Sequence, residues 1–76
     1  MPLVTVDIIE NVFNAEQKKE MIEKLTETMV SLEGEALRSV TWVRINEVKE
    51  DNWGIGGQTL NAAAVHAMQQ APQAVA

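Results

Sequence analysis

Two stretches of this chain alternate apolar and polar residues, and a single helix-like stretch separates them. From Leu3 to Glu10, Val4, Val6 and Ile8 share one face while Leu3, Thr5, Asp7 and Ile9 share the other. From Val40 to Val48, Val43 and Ile45 fall on one face and Trp42, Arg44 and Asn46 on the other. Period two is the mark of a strand. Between the two, Asn14-Ala15-Glu16-Gln17 offers a helix start, with Asn14 able to accept a first-turn N–H and Gln17 able to reach back as its capping-box partner. Ile22, Leu25, Met29 and Leu32 then recur at spacings of three and four, Met21 widens the stripe, and Lys18, Lys19, Glu23, Lys24 and Glu27 hold the wet side. Gly34 is the predicted stop. Strand, helix and strand in this order most simply give a parallel pair with a right-handed crossover, the helix covering one face. The other face, with Leu3, Ile9, Val40 and Trp42, is too apolar for a lone subunit of 76 residues to leave wet. The chain is therefore expected to be a homo-oligomer.

Downstream, Trp53-Gly54-Ile55-Gly56-Gly57 is turn-rich and predicts a short hairpin. From Asn61 the composition shifts to alanine and glutamine, which favours a terminal helix to about Pro72. The expected class is α/β (α+β), a β-α-β unit with parallel strands and a hairpin over residues 1–60, followed by an Ala/Gln-rich tail over 61–76 whose composition allows a helix.

Composition removes several functions. A net charge of -5 and a pI near 4.6 repel a phosphate backbone, so no nucleic-acid partner is expected. With no cysteine and one histidine there is no disulfide framework, no thiolate nucleophile and no ordinary metal cluster. No apolar run approaches the roughly 18 to 20 residues of a membrane span, and the first residues do not read as a signal peptide. A cytoplasmic location without membrane association is expected.

A proline directly after Met1, a strand-helix-strand layout of this length, and the Trp53-to-Gly57 motif together resemble the 4-oxalocrotonate tautomerase family. The similarity runs through Pro2 to Glu10, Glu16 to Lys18 and Thr41 to Val48. It implies an isomerase that needs no cofactor and no metal, assembled as a hexamer, a trimer of dimers, and acting on small enol or keto acids. It also implies that Met1 is removed and that the secondary amine of Pro2 carries a proton between oxygen and carbon. Physically, an α-amino group titrates near pH ~8, and an apolar pocket or a nearby cation moves it toward neutrality, making a free base available. Trp53 matches the aromatic that walls the pocket in the family.

The chain departs from its diacid-using relatives at two places. These carry an arginine shortly after the first strand and another in the second, both used on substrate carboxylates, and the matching positions here are Val12 and Trp42. A substrate with one carboxylate is expected instead, bound by Arg44 or Arg38, with Trp42 and Trp53 beside its apolar part. For each arginine the ordinary role is a surface ion pair. Asp7, Glu10 and Glu47 could activate water, which makes a hydratase or dehalogenase the enzymatic alternative; their ordinary role is solvated or paired. His66 reads as a satisfied side chain. A non-catalytic oligomeric binding protein is the alternative from another class, and it follows if Met1 stays attached, because the amine then becomes a tertiary amide with neither a lone pair nor an N–H to offer.

Overall fold

The computed structural model describes residues 1–71, and α1 (Ala15–Glu33) begins in it where the sequence supplies a cap. Asn14 Oδ1 accepts the Gln17 N–H at 2.8 Å, and Gln17 Oε1 accepts the Asn14 N–H at 2.9 Å. This reciprocal pair satisfies donors that a helix start otherwise leaves open. The helix ends on Gly34, whose φ of 103° is one that side chains resist.

The strands β1 (Leu3–Ile9) and β2 (Trp42–Val48) pair in parallel, in register from Leu3 opposite Trp42 to Ile9 opposite Val48. α1 packs on β2, and Lys18 Nζ reaches the Glu47 carboxylate at 2.9 Å between them. Val4, Val6, Ile8, Val43 and Ile45 are shielded, whereas Leu3, Thr5, Asp7, Trp42, Arg44 and Asn46 are exposed. The β-α-β unit with its parallel pair is as the sequence led us to expect.

Details differ. Val40 does not start the second strand; it closes a 3-10 helix, Glu35–Val40, which ends as the Thr41 N–H donates to the Arg38 carbonyl at 3.2 Å. On α1 the buried residue is Val30, while Ile22 and Leu32 are 40% and 78% exposed. Two strands about 5 Å apart are narrower than a helix about 10 Å across, so the sheet covers only part of the stripe. Ile9, expected on the open face, is buried.

The C-terminal elements bury it. β3 (Trp53–Ile55) and β4 (Gln58–Leu60) form an antiparallel hairpin through Gly56 and Gly57, whose φ values of 57° and 83° suit a two-residue turn. α2 (Ala62–Gln70) follows, with Asn61 Oδ1 accepting the Ala64 N–H at 2.8 Å. Ile9, Val12 and Ala62 form a buried cluster against which Phe13, Trp53, Leu60 and Val65 pack. Pro72 and the rest of the tail lie outside the described residues. No helix among the described residues is long and apolar enough to cross a membrane.

Candidate functional site

Pro2 leads into β1, and its carbonyl accepts the Trp42 N–H at 3.0 Å. A proline suits the edge of a ladder because it contributes an acceptor and no donor. The residue is half-buried, and Met1 before it is 82% exposed. The parallel register then sets Trp42 beside Leu3 and Arg44 beside Thr5, so Pro2, Trp42 and Arg44 gather at one end of the pair. Among the described residues Arg44 makes no ion pair.

Arg38 lies near the same end but is engaged. Its guanidinium holds Glu27 through Nη1 and Nη2 at 2.5 and 3.0 Å, and Glu35 through Nε and Nη2 at 2.6 and 3.1 Å. These charge-assisted bonds hold the carboxyls of Glu27 and Glu35 below the usual carboxylate range and raise the guanidinium above its ordinary value, Glu27 contributing most to that rise. Arg38 therefore ties the 3-10 helix to α1.

Trp53 stands at the opposite end. The seven residues of β1, at ~3.3 Å each, put ~23 Å between Pro2 and Ile9, and Trp53 packs on the cluster that holds Ile9. One chain does not bring Trp53 to Pro2. Instead Trp53 walls a cleft of about 230 Å³ with Ile9, Val12, Phe13, Leu60 and Val65, and among the described residues Asp7 is the one charged side chain lining it. Sequence reasoning missed Phe13 and Val65. For Phe13 a signal existed, since an apolar residue directly before a helix cap commonly packs back on its surroundings.

The three carboxylates considered for water activation all have partners. Asp7 Oδ1 accepts from Asn46 Nδ2 at 3.0 Å, Glu47 pairs with Lys18, and Glu10 Oε1 accepts the Glu50 N–H at 3.3 Å. His66 Nε2 lies 3.0 Å from the Val12 carbonyl, to which a ring N–H donates. No three His, Asp or Glu side chains among the described residues come together as a metal site.

A parallel two-stranded unit crossed by one helix, closed by a glycine hairpin and headed by proline, is the architecture of a small tautomerase subunit. Residues 2–63 match the family Tautomerase, described as tautomerase enzyme. Over 60 residues the chain is 42% identical to a probable tautomerase of Dickeya dadantii, covering 79% of this chain and 88% of that one. It is 40% identical over 57 residues to a 2-hydroxymuconate tautomerase of Pseudomonas putida, covering 75% and 87%. The apo form of an unfused 4-OT superposes with a TM-score of 0.69 at 35% identity, over 84% of this chain and 98% of that one. The chain belongs to the tautomerase family, and it is an enzyme of the 4-OT-like type, an isomerase in broad function.

Proposed function

We propose that this enzyme interconverts the enol and keto forms of small 2-oxo acids bearing one carboxylate, using the amine of Pro2 after Met1 is removed. The neutral amine takes the enol hydroxyl proton and returns it, as an ammonium, to the carbon, so no proton is gained or lost overall. The observation that carries this reading is how Pro2 is held. Its only ladder bond uses the carbonyl, at 3.0 Å from the Trp42 nitrogen, and the exposed Met1 can leave without breaking it. The amine so released is fixed in place from behind.

The preference for one carboxylate rests on charge. Arg44 is the cation near Pro2 without an ion pair among the described residues, because Arg38 already serves two glutamates. Val12 is buried in an apolar cluster and Trp42 offers no charge. A second carboxylate would shed its hydration with nothing to replace it. The relative named 2-hydroxymuconate tautomerase fits an enol acid as the general substrate type; its named substrate is a diacid, and the single carboxylate is the respect in which this chain is proposed to differ.

Trp53 joins the pocket from a second copy of the chain, since it is a strand length away from Pro2 within its own. The partially apolar open face, with Leu3 and Trp42 54% and 57% exposed, supplies the contact that brings copies together. A hexamer of three dimers in the cytoplasm, free of metal and cofactor, is the assembly we propose. The test is direct: intact-mass measurement on protein from its native host should lack Met1. In processed protein, Pro2→Ala should lower ketonisation of an aryl enol-pyruvate by at least about tenfold. Full activity in that variant, or in a form that retains Met1, excludes Pro2 from the chemistry.

A further inference from the structure

The hairpin that carries Trp53 is fastened at its base by one side chain. Glu50 precedes β3, and its Oε1 accepts the Ala62 N–H at 2.6 Å, across the whole hairpin. Its Oε2 accepts from Asn11 Nδ2 at 3.2 Å, in the loop that follows β1. The Glu50 N–H donates to Glu10 Oε1 at 3.3 Å, and the neighbouring Asp51 N–H donates to the Leu60 carbonyl at 2.8 Å. One carboxylate therefore joins three pieces of chain: the end of β1, the start of β3 and the start of α2.

Two further observations mark this junction. Among the described residues, the non-glycine residues with positive φ are Asn11 at 68° and Asp51 at 67°. One is a donor to the Glu50 carboxylate and the other is its chain neighbour. Asn and Asp tolerate that conformation better than other side chains, but it persists only where surroundings impose it. Ala62, whose N–H the carboxylate holds, is buried with Ile9 and Val12 in the cluster on which Trp53 rests. Asn61 caps the Ala64 N–H at the start of α2, and Glu50 takes the Ala62 N–H that this cap leaves open. The bond to Ala62 therefore also ties the start of α2 to the residue that leads into the hairpin.

We infer that Glu50 is a positioning residue for Trp53, fixing the aromatic wall of the substrate pocket without touching substrate. The inference rests on the reading of Trp53 as a pocket residue. Glu50 controls the angle at which the hairpin leaves the β1 end, and so how much apolar surface the pocket presents. It acts on substrate binding, and the proton transfer at Pro2 proceeds without it.

The test compares Glu50→Ala with Glu50→Gln in processed protein. The glutamine keeps an acceptor for the Ala62 N–H, and its amide can donate to Asn11 once the Asn11 amide turns over. Glu50→Ala should raise KM for an aryl enol-pyruvate by about fivefold or more while kcat stays within about twofold, and Glu50→Gln should restore KM. In a Trp42→Phe background, where only Trp53 emits, Glu50→Ala should shift the emission to longer wavelength and Glu50→Gln should not. If Glu50→Ala proves unfolded by circular dichroism, Asn11→Gly removes one arm of the junction while tolerating the φ of 68°, and should move both readouts in the same direction by less; no movement in either overturns the inference. Unchanged Trp53 emission and unchanged KM in Glu50→Ala, or a Glu50→Gln variant that behaves like Glu50→Ala, overturns the inference. The emission readout does not involve Pro2, so an enzyme inactive toward every enol acid would defeat the proposed chemistry and leave the positioning test intact.

Discussion

The two faces of the β1–β2 pair come from the same fourteen residues and have opposite characters. Under α1 lie Val4, Val6, Ile8, Val43 and Ile45, all aliphatic and all β-branched. The other face holds Leu3 and Trp42 side by side at the Pro2 end, then Thr5, Arg44, Asp7 and Asn46, and ends in Ile9 opposite Val48, where the C-terminal elements cover Ile9. A face that is aliphatic but for Glu47, which Lys18 of α1 neutralises, is what one helix can cover. The part of this face left uncovered is apolar at the Pro2 end and polar beyond it, which suits a second protein surface and a polar ligand. The covered face builds the subunit; under the function proposed above, the open face builds the assembly and the site.

Breaking the open face should have the largest effect. Trp42 has 57% of its surface exposed, and covering about 100 Å² of it contributes about 2.5 kcal/mol in every copy. A buried aspartate there would add the cost of an unpaired charge. Trp42→Asp should lower the light-scattering mass at micromolar concentration to near the 8.4 kDa of one chain. A variant that keeps the full assembly mass would show that the open face is not the contact.

Breaking the covered face should instead unfold the subunit. Ile8 is 8% exposed, and Ile8→Ala should cost about 2 to 4 kcal/mol in urea unfolding, measured at one fixed protein concentration because assembly is linked to stability. Leu3→Ala, one strand face away, should cost much less in the same titration at concentrations where the chain is dissociated. Equal losses at the two positions would erase the distinction drawn between the faces.

What the sequence made legible was local. The Asn14 cap, the Gly34 stop and the Gly56-Gly57 turn each depend on residues within a few positions, and each stands where its chemistry sets it. The parallel register followed from two alternations joined through a helix. Placements that depend on distant partners were not legible. Ile9 has the parity of an open-face residue, and only the arrival of Trp53, Leu60 and Ala62 from far along the chain buries it. Leu32 has the spacing of a core residue, yet the sheet does not extend far enough to meet it. The site divides in the same way. Pro2, Trp42 and Arg44 share an end because the register alone aligns them, whereas the distance of Trp53 from Pro2 depends on where the hairpin docks. Glu50 gave no signal, since a lone glutamate before a turn has many ordinary roles.

The two arginines sharpen the comparison further. Arg44, on the open face, is exposed and makes no ion pair among the described residues; Arg38 is held by glutamates of α1 and the 3-10 helix. Arg44→Ala should raise KM for an aryl enol-pyruvate by about tenfold, about 1.4 kcal/mol, with a smaller change in kcat. The same substitution should leave urea unfolding nearly unchanged. If kcat/KM is unaffected, or if a diacid of similar length is turned over faster than the monoacid, the single-carboxylate assignment is wrong.

Arg38 should give the smallest effect, and its sign with pH is fixed by the glutamates. Hydrogen bonds from Arg38 lower the carboxyls of Glu27 and Glu35 from their ordinary 4.5. A depressed carboxyl contributes stability that is present above its unfolded value and is lost as pH falls through the folded one. Arg38 itself is raised above its ordinary value, so its contribution would fade only in strong alkali and leaves the neutral range flat. Arg38→Met keeps much of the aliphatic stem and removes the charge. The wild type should therefore be more stable than Arg38→Met at neutral pH by a small margin, since 41% of the Arg38 side chain and 62% and 74% of its partners remain exposed. That margin should hold down to about pH 5 and close as the medium is acidified below the ordinary carboxylate value. Adding about 1 M salt at neutral pH should narrow it as well, because exposed pairs are screened. A margin that is unchanged both in acid and in salt would mean that Arg38 stabilises the subunit by packing its stem and not by holding Glu27 and Glu35.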